Sequence, residues 1–139
     1  LMSCDQVVMA EEARIYMAFS HIGLIPDGGS TWLLFQILGY HRAFALITEG
    51  GSVSAQDCLK LGLARTVVSR DQTEQAAVEI AATLCERSPL ATAEAKRLLR
   101  EAATASYAQI FEAEAIAQKQ CLHSEASREA IARFKNRGK

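Results

Sequence analysis

The rhythm of hydrophobic and polar positions changes once along the 139-residue chain. Before about residue 70, short apolar stretches alternate with polar or glycine-rich breaks. Met2 to Met9 reads as a strand, carried by the β-branched Val7 and Val8. Ala10-Glu11-Glu12-Ala13 interrupts it, and Arg14 to Met17 reads as a second short extended segment. His21 to Ser30 is dense in turn formers and reads as a loop. Thr31 to Leu38 is apolar enough for a buried helix ending at Gly39, and Arg42 to Thr48 for a second one stopped by Gly50-Gly51. Ser54 suits the N-cap of a helix over Ala55 to Leu61, with Gly62 at its end, and Ala64 to Val68 reads as a strand.

From Gln72 onward the spacing is helical throughout. Amphipathic helices are predicted near 72–87, 89–103, 106–121 and 125–136, with Ser88-Pro89 breaking the first from the second and Ser124 capping the last. The fold class is therefore α/β, with a core part over 1–69 and a helical region over 70–139.

Composition narrows the function classes. Fifteen basic residues against sixteen acidic ones give a net charge of −1, so there is no global field for a nucleic-acid partner. No apolar run approaches the ~20 residues that span a membrane, and no secretory signal is read, so a cytoplasmic protein is expected. The chain opens directly on strand-like apolar sequence, which suggests part of a longer protein. Cys4, Cys58, Cys85 and Cys121 form no CxxC pair, and His21, His41 and His123 are far apart in sequence, so no metal site is expected and the thiols are read as reduced.

Pro26-Asp27-Gly28-Gly29-Ser30 is the most informative stretch. Pro26 fixes φ, and the glycines permit a tight turn and close approach of a ligand. The stretch lacks the lysine and glycine spacing of a phosphate loop. Asp27, flanked by Ile22, Leu24, Ile25, Trp32 and Leu33, suits an acid/base carboxylate in an apolar surround. It equally suits a turn or helix-capping aspartate. His21 reads as a polar neighbour of a site or as a histidine bonded in a turn, and Trp32 and Phe35 as core or as pocket lining.

Several motifs together carry a resemblance. Cys4-Asp5, Ala13-Arg14, Ile22 to Ser30, Leu38-Gly39-Tyr40-His41-Arg42-Ala43, Thr48-Glu49-Gly50, Ser54 to Cys58 and Gly62-Leu63-Ala64 occur in order, with Phe134 near the end. The pattern resembles the crotonase (enoyl-CoA hydratase/isomerase) family over nearly the whole chain. The resemblance implies a spiral of ββα turns, of which these residues would be the last, followed by helices used in trimerisation. It implies an acyl-CoA thioester as substrate, coenzyme A being part of the substrate and no other cofactor being needed. It further implies a homotrimer or dimer of trimers. The family chain is about twice this length, and its oxyanion hole, two backbone N–H groups, would lie ahead of Leu1. The 139 residues alone are therefore not expected to turn over substrate.

The resemblance also bears on the carboxylates. Family hydratases use two glutamates. The first would fall ahead of Leu1 and the second at Phe19, which cannot move a proton and is read as a wall of the acyl pocket. Asp27 coincides with the acid/base of family isomerases that shift a double bond along the acyl chain, those of phenylacetate breakdown included. The implied site is thus Asp27 as catalytic group, with Phe19, Ile25 and Trp32 against the acyl group. Arg137, with Lys139 near it, would reach a coenzyme A phosphate. Where family members commonly carry Pro-Arg, this chain has Phe35-Gln36. Three functions stay open: an enoyl-CoA isomerase, a hydratase acting on a 2-enoyl-CoA, and a non-catalytic oligomerisation module.

Overall fold

The computed structural model describes residues 1–136. The chain divides into two compact units, Leu1–Ile80 and the residues from Ala81 onward.

In the first unit, four three-residue strands form two small sheets. β1 (Val8–Ala10) and β4 (Thr66–Val68) pair in parallel, with Met9 opposite Val67. β2 (Arg14–Tyr16) and β3 (Ser52–Ser54) pair antiparallel, with Ile15 opposite Val53. The middle residue of each strand faces inward, as the period of two requires. Met9 and Val53 join Met17, Leu34, Ala43, Ala55, Cys58, Leu63 and Ala64 in one core. Leu34 and Cys58 are completely enclosed.

Between β2 and β3 the chain makes one excursion. It passes through a 3-10 helix (Ala18–Ile22), a loop, and α1 (Ser30–Glu49). Gly39 breaks α1, with φ 72° and ψ 171° inside an otherwise helical run. The two short helices expected around Gly39 are therefore present, joined by a kink. Gly50 ends α1 in the left-handed region. α2 (Ala55–Lys60) is capped by Ser54, whose Oγ accepts from the Asp57 N–H at 3.1 Å.

Two expected strands are shorter than the sequence reading gives. Of the Met2–Met9 stretch only Val8 and Met9 are strand, which runs on to Ala10 and is as long as its partner β4. Ahead of it the chain makes a turn over Leu1 to Cys4, closed by the Cys4 N–H on the Leu1 carbonyl at 3.0 Å. Ala64 is likewise outside β4, since its N–H closes the end of α2 on the Cys58 carbonyl.

α3 (Thr73–Cys85) runs across the boundary between the units. In the second unit, α4 (Pro89–Glu101) starts at Ser88-Pro89, the proline in the first turn where its missing N–H costs nothing. α5 (Tyr107–Leu122) starts with a reciprocal capping box between Ser106 and Gln109. α6 (Glu125–Asn136) is capped by Ser124, whose Oγ accepts from the Ser127 N–H at 3.2 Å. α4 packs on α5, and Arg97 on α4 is held between Glu94 and Glu101, which push its pKa further up. No helix among the described residues is long and apolar enough to cross a membrane.

Candidate active site

The loop at Asp27 is built by glycine conformations and one buried proline. Gly23 ends the 3-10 helix in the left-handed region, and the Leu24 N–H returns to the Phe19 carbonyl at 2.9 Å. Pro26 is buried and pins the middle of the loop. Gly28 and Gly29 both have positive φ, 60° and 80°, a pair of conformations that side-chain-bearing residues rarely adopt. The reversal lets the Asp27 carbonyl accept the Ser30 N–H at 3.0 Å and makes Gly29 the N-cap of α1.

This arrangement bears on the helix-capping reading of Asp27. The cap of α1 is Gly29, no side chain caps this helix, and the Asp27 carboxylate bonds to nothing among the described residues. A capping aspartate would accept an N–H of the first helical turn. Asp27 therefore presents an uncommitted carboxylate beside the start of a helix.

The apolar surround expected for Asp27 from its sequence neighbours does not cover it. Asp27 is exposed. Leu24, Ile25 and Trp32 are themselves 58%, 78% and 49% exposed. Phe19 is half-buried in the 3-10 helix, on the chain leading into the loop. Ile25 and Trp32 flank Asp27 in sequence on opposite sides of the glycine turn. Arg137 and Lys139 lie outside the described residues.

His21 is not bonded within a turn. A carbonyl only accepts, so its Nε2–H donates, at 3.3 Å, to the Glu49 carbonyl at the far end of α1. Directly beside this bond lies Gly50. A Cβ built there would stand 2.6 Å from both His21 Nε2 and Ser20 Oγ. The Ser20 hydroxyl is buried and has no partner among the described residues. Gly50 is legible in the sequence as a helix stop; nothing local signals that it also makes room for a residue 29 positions earlier.

Elsewhere the chemistry is quiet. No cluster of three or more His, Cys, Asp or Glu among the described residues could hold a metal. Cys4, Cys58, Cys85 and Cys121 are free thiols. Burial, with the nearby charge of Asp57, pushes the Cys58 thiol up, which keeps it protonated and unreactive. In the second unit an apolar groove of about 780 Å³ runs between α4 and α5, lined by Leu98, Leu99, Ala102, Ile110 and Phe111 among others.

Comparison with known proteins bears on the family and the fold. The family model described as enoyl-CoA hydratase/isomerase matches residues 1–139. The chain is 34% identical over 98 residues to the 2,3-dehydroadipyl-CoA hydratase of Escherichia coli, covering 70% of this chain and 38% of that protein. It is 34% identical over 100 residues to the 1,2-epoxyphenylacetyl-CoA isomerase of the same organism, covering 72% and 38%. The crystal structure of an enoyl-CoA hydratase from Polaromonas sp. JS666 superposes with a TM-score of 0.91 at 34% identity, over 98% of this chain and 53% of that one. The chain thus spans well under half the length of these two relatives and about half of that structure.

Proposed function

Since the chain belongs to the enoyl-CoA hydratase/isomerase family and has its crotonase-like α/β fold, we propose that it is the acid/base-bearing part of an acyl-CoA isomerase. The substrate is an enoyl-CoA thioester. Asp27 takes a proton from the carbon next to the thioester carbonyl, and the electron pair moves onto the carbonyl oxygen as a dienolate. The same carboxyl returns the proton two carbons further along, so a 3-enoyl thioester becomes the conjugated 2-enoyl one. Two backbone N–H groups, placed ahead of Leu1 by the family resemblance, carry the oxyanion meanwhile. Ile25, Trp32 and Phe19 border the acyl group and exclude water from the carboxylate once substrate is bound. Arg137 binds a coenzyme A phosphate.

One observation carries this reading: the Asp27 carboxylate stands at a glycine turn, with exposed apolar residues on either side in sequence and no capping or ion-pairing duty among the described residues. The phenylalanine at position 19, where family hydratases would place a second glutamate, supports a mechanism with one carboxylate. Hydration of a 2-enoyl-CoA is the second reading. The 34% identity to a relative named as a hydratase favours it equally with the isomerase relative. The residues over 1–69 would then form the last ββα turns of the family's spiral. The helices after them would assemble a homotrimer or dimer of trimers, acting in the cytoplasm with no cofactor beyond the coenzyme A of the substrate. The open apolar groove between α4 and α5 is consistent with a face used in assembly.

The test is to offer the complete protein a 3-enoyl-CoA and a 2-enoyl-CoA separately. Conversion of the 3-enoyl to the 2-enoyl thioester without water addition is expected. Hydration of the 2-enoyl-CoA as the sole reaction would replace the isomerase reading with the hydratase one.

A further inference from the structure

We infer that His21 is a positioning residue, which with Gly50 clasps the start of the Asp27 loop to the far end of α1 and so fixes where the carboxylate stands. The inference rests on the reading of Asp27 as the acid/base group.

The topology makes the clasp consequential. The excursion that carries Asp27 leaves the small antiparallel sheet at β2 and returns at β3, and the Met17 N–H closes its base on the Gly51 carbonyl at 3.2 Å. The 3-10 helix is the first element above that base. Such helices are short and have poor internal hydrogen-bond geometry, so they need an outside anchor to hold one position. His21 supplies it. Its Nε2–H reaches a carbonyl that α1 leaves free at its own C-terminus, across 28 residues of sequence. Gly50 is required there twice, for its φ of 65° and for the space that His21 and Ser20 occupy.

From His21 to Asp27 the chain has little freedom. The Gly23 N–H bonds to the Ser20 carbonyl at 3.2 Å and the Leu24 N–H to the Phe19 carbonyl at 2.9 Å, so the anchored 3-10 helix dictates where the loop begins. Pro26 is buried, and the Asp27 carbonyl is held by the Ser30 N–H. The loop is thus fixed at its end by the start of α1 and at its beginning, through His21, by the end of α1. Release of the second tie lets the 3-10 helix and the loop shift together. Proton transfer is sensitive to such shifts, since a misplacement of about 1 Å can cost on the order of a hundredfold in rate.

The experiment uses the complete protein with a 3-enoyl-CoA and three variants. His21→Leu keeps bulk and removes the donor, His21→Gln keeps an N–H that can reach Glu49, and Asp27→Asn removes the base. His21→Leu should lower kcat about tenfold or more, with KM within about threefold. His21→Gln should recover kcat to within about threefold of the parent. Hydrogen exchange gives a readout independent of turnover: peptides covering residues 19–29 should exchange about tenfold faster in His21→Leu, with the core strands unchanged. Parent-like kcat and exchange in His21→Leu, beside an inactive Asp27→Asn, would overturn the clasp alone. The same holds if His21→Gln is as impaired as His21→Leu. Full activity of Asp27→Asn would overturn the acid/base reading and the clasp with it.

Discussion

The carbonyl of Asp27 accepts the Ser30 N–H at 3.0 Å, while no N–H of α1 is capped by the carboxylate of the same residue. The backbone of Asp27 is therefore structural and its side chain is not. Asp27→Ala should leave thermal stability within about 0.5 kcal/mol of the parent, as for other exposed positions without a partner. A loss near 1 kcal/mol, the size of a lost helix cap, would show that the carboxylate belongs to the turn.

Gly50 and Gly62 separate two costs. Both have positive φ, 65° and 76°, so alanine at either pays the left-handed penalty of about 1–2 kcal/mol. Only at Gly50 would the new methyl meet His21 and Ser20. Gly50→Ala should thus be clearly the more destabilising in denaturant titrations. Equal losses would mean that the packing at Gly50 is looser than the structure shows.

The division of labour along the chain explains what its sequence discloses. Local chemistry is legible: the break of α1 at Gly39, the caps at Ser54 and Ser124, the helix break at Ser88-Pro89, and the glycine turn after Asp27 all follow from residue type. Tertiary pairing is not. Met2 to Gln6 looks like strand because its apolar residues look like strand, yet a strand ends where its partner ends. The exposure of Asp27 has a similar origin, since apolar neighbours in sequence say nothing about what lies above them. The contact of His21 with Glu49 joins two segments that share no pattern. The role proposed for Asp27 rests on several motifs together, because one aspartate in one turn fits a cap as well as a catalyst.

The cap of α2 is sensitive to acid. Ser54 Oγ donates to Asp57 Oδ2 at 2.6 Å, and Lys60 Nζ donates to Oδ1 at 3.1 Å; both hold the Asp57 carboxyl below its ordinary value. A depressed folded value stabilises the fold above the unfolded pKa and loses that contribution as pH falls through the folded one. The stability advantage of the parent over Asp57→Ala should be constant near neutrality and shrink once pH drops below about 4. An advantage unchanged down to the acid transition would contradict the assignment.

Cys58 is enclosed and its thiol pKa is raised by burial. At neutral pH it should resist alkylation in the folded protein and react only after denaturant is added, which mass spectrometry of the peptide carrying it will show. Labelling in the folded state at the rate of a free thiol would mean that the first unit opens readily.

The most direct test of the central claim is the isomerisation rate of the complete protein with and without the Asp27 carboxylate, measured beside acyl-CoA affinity. If Asp27 is the sole proton carrier, Asp27→Asn should lower the rate by about a hundredfold to ten-thousandfold, with Kd for an unreactive acyl-CoA within about threefold. Isomerisation that continues at the parent rate would contradict the account.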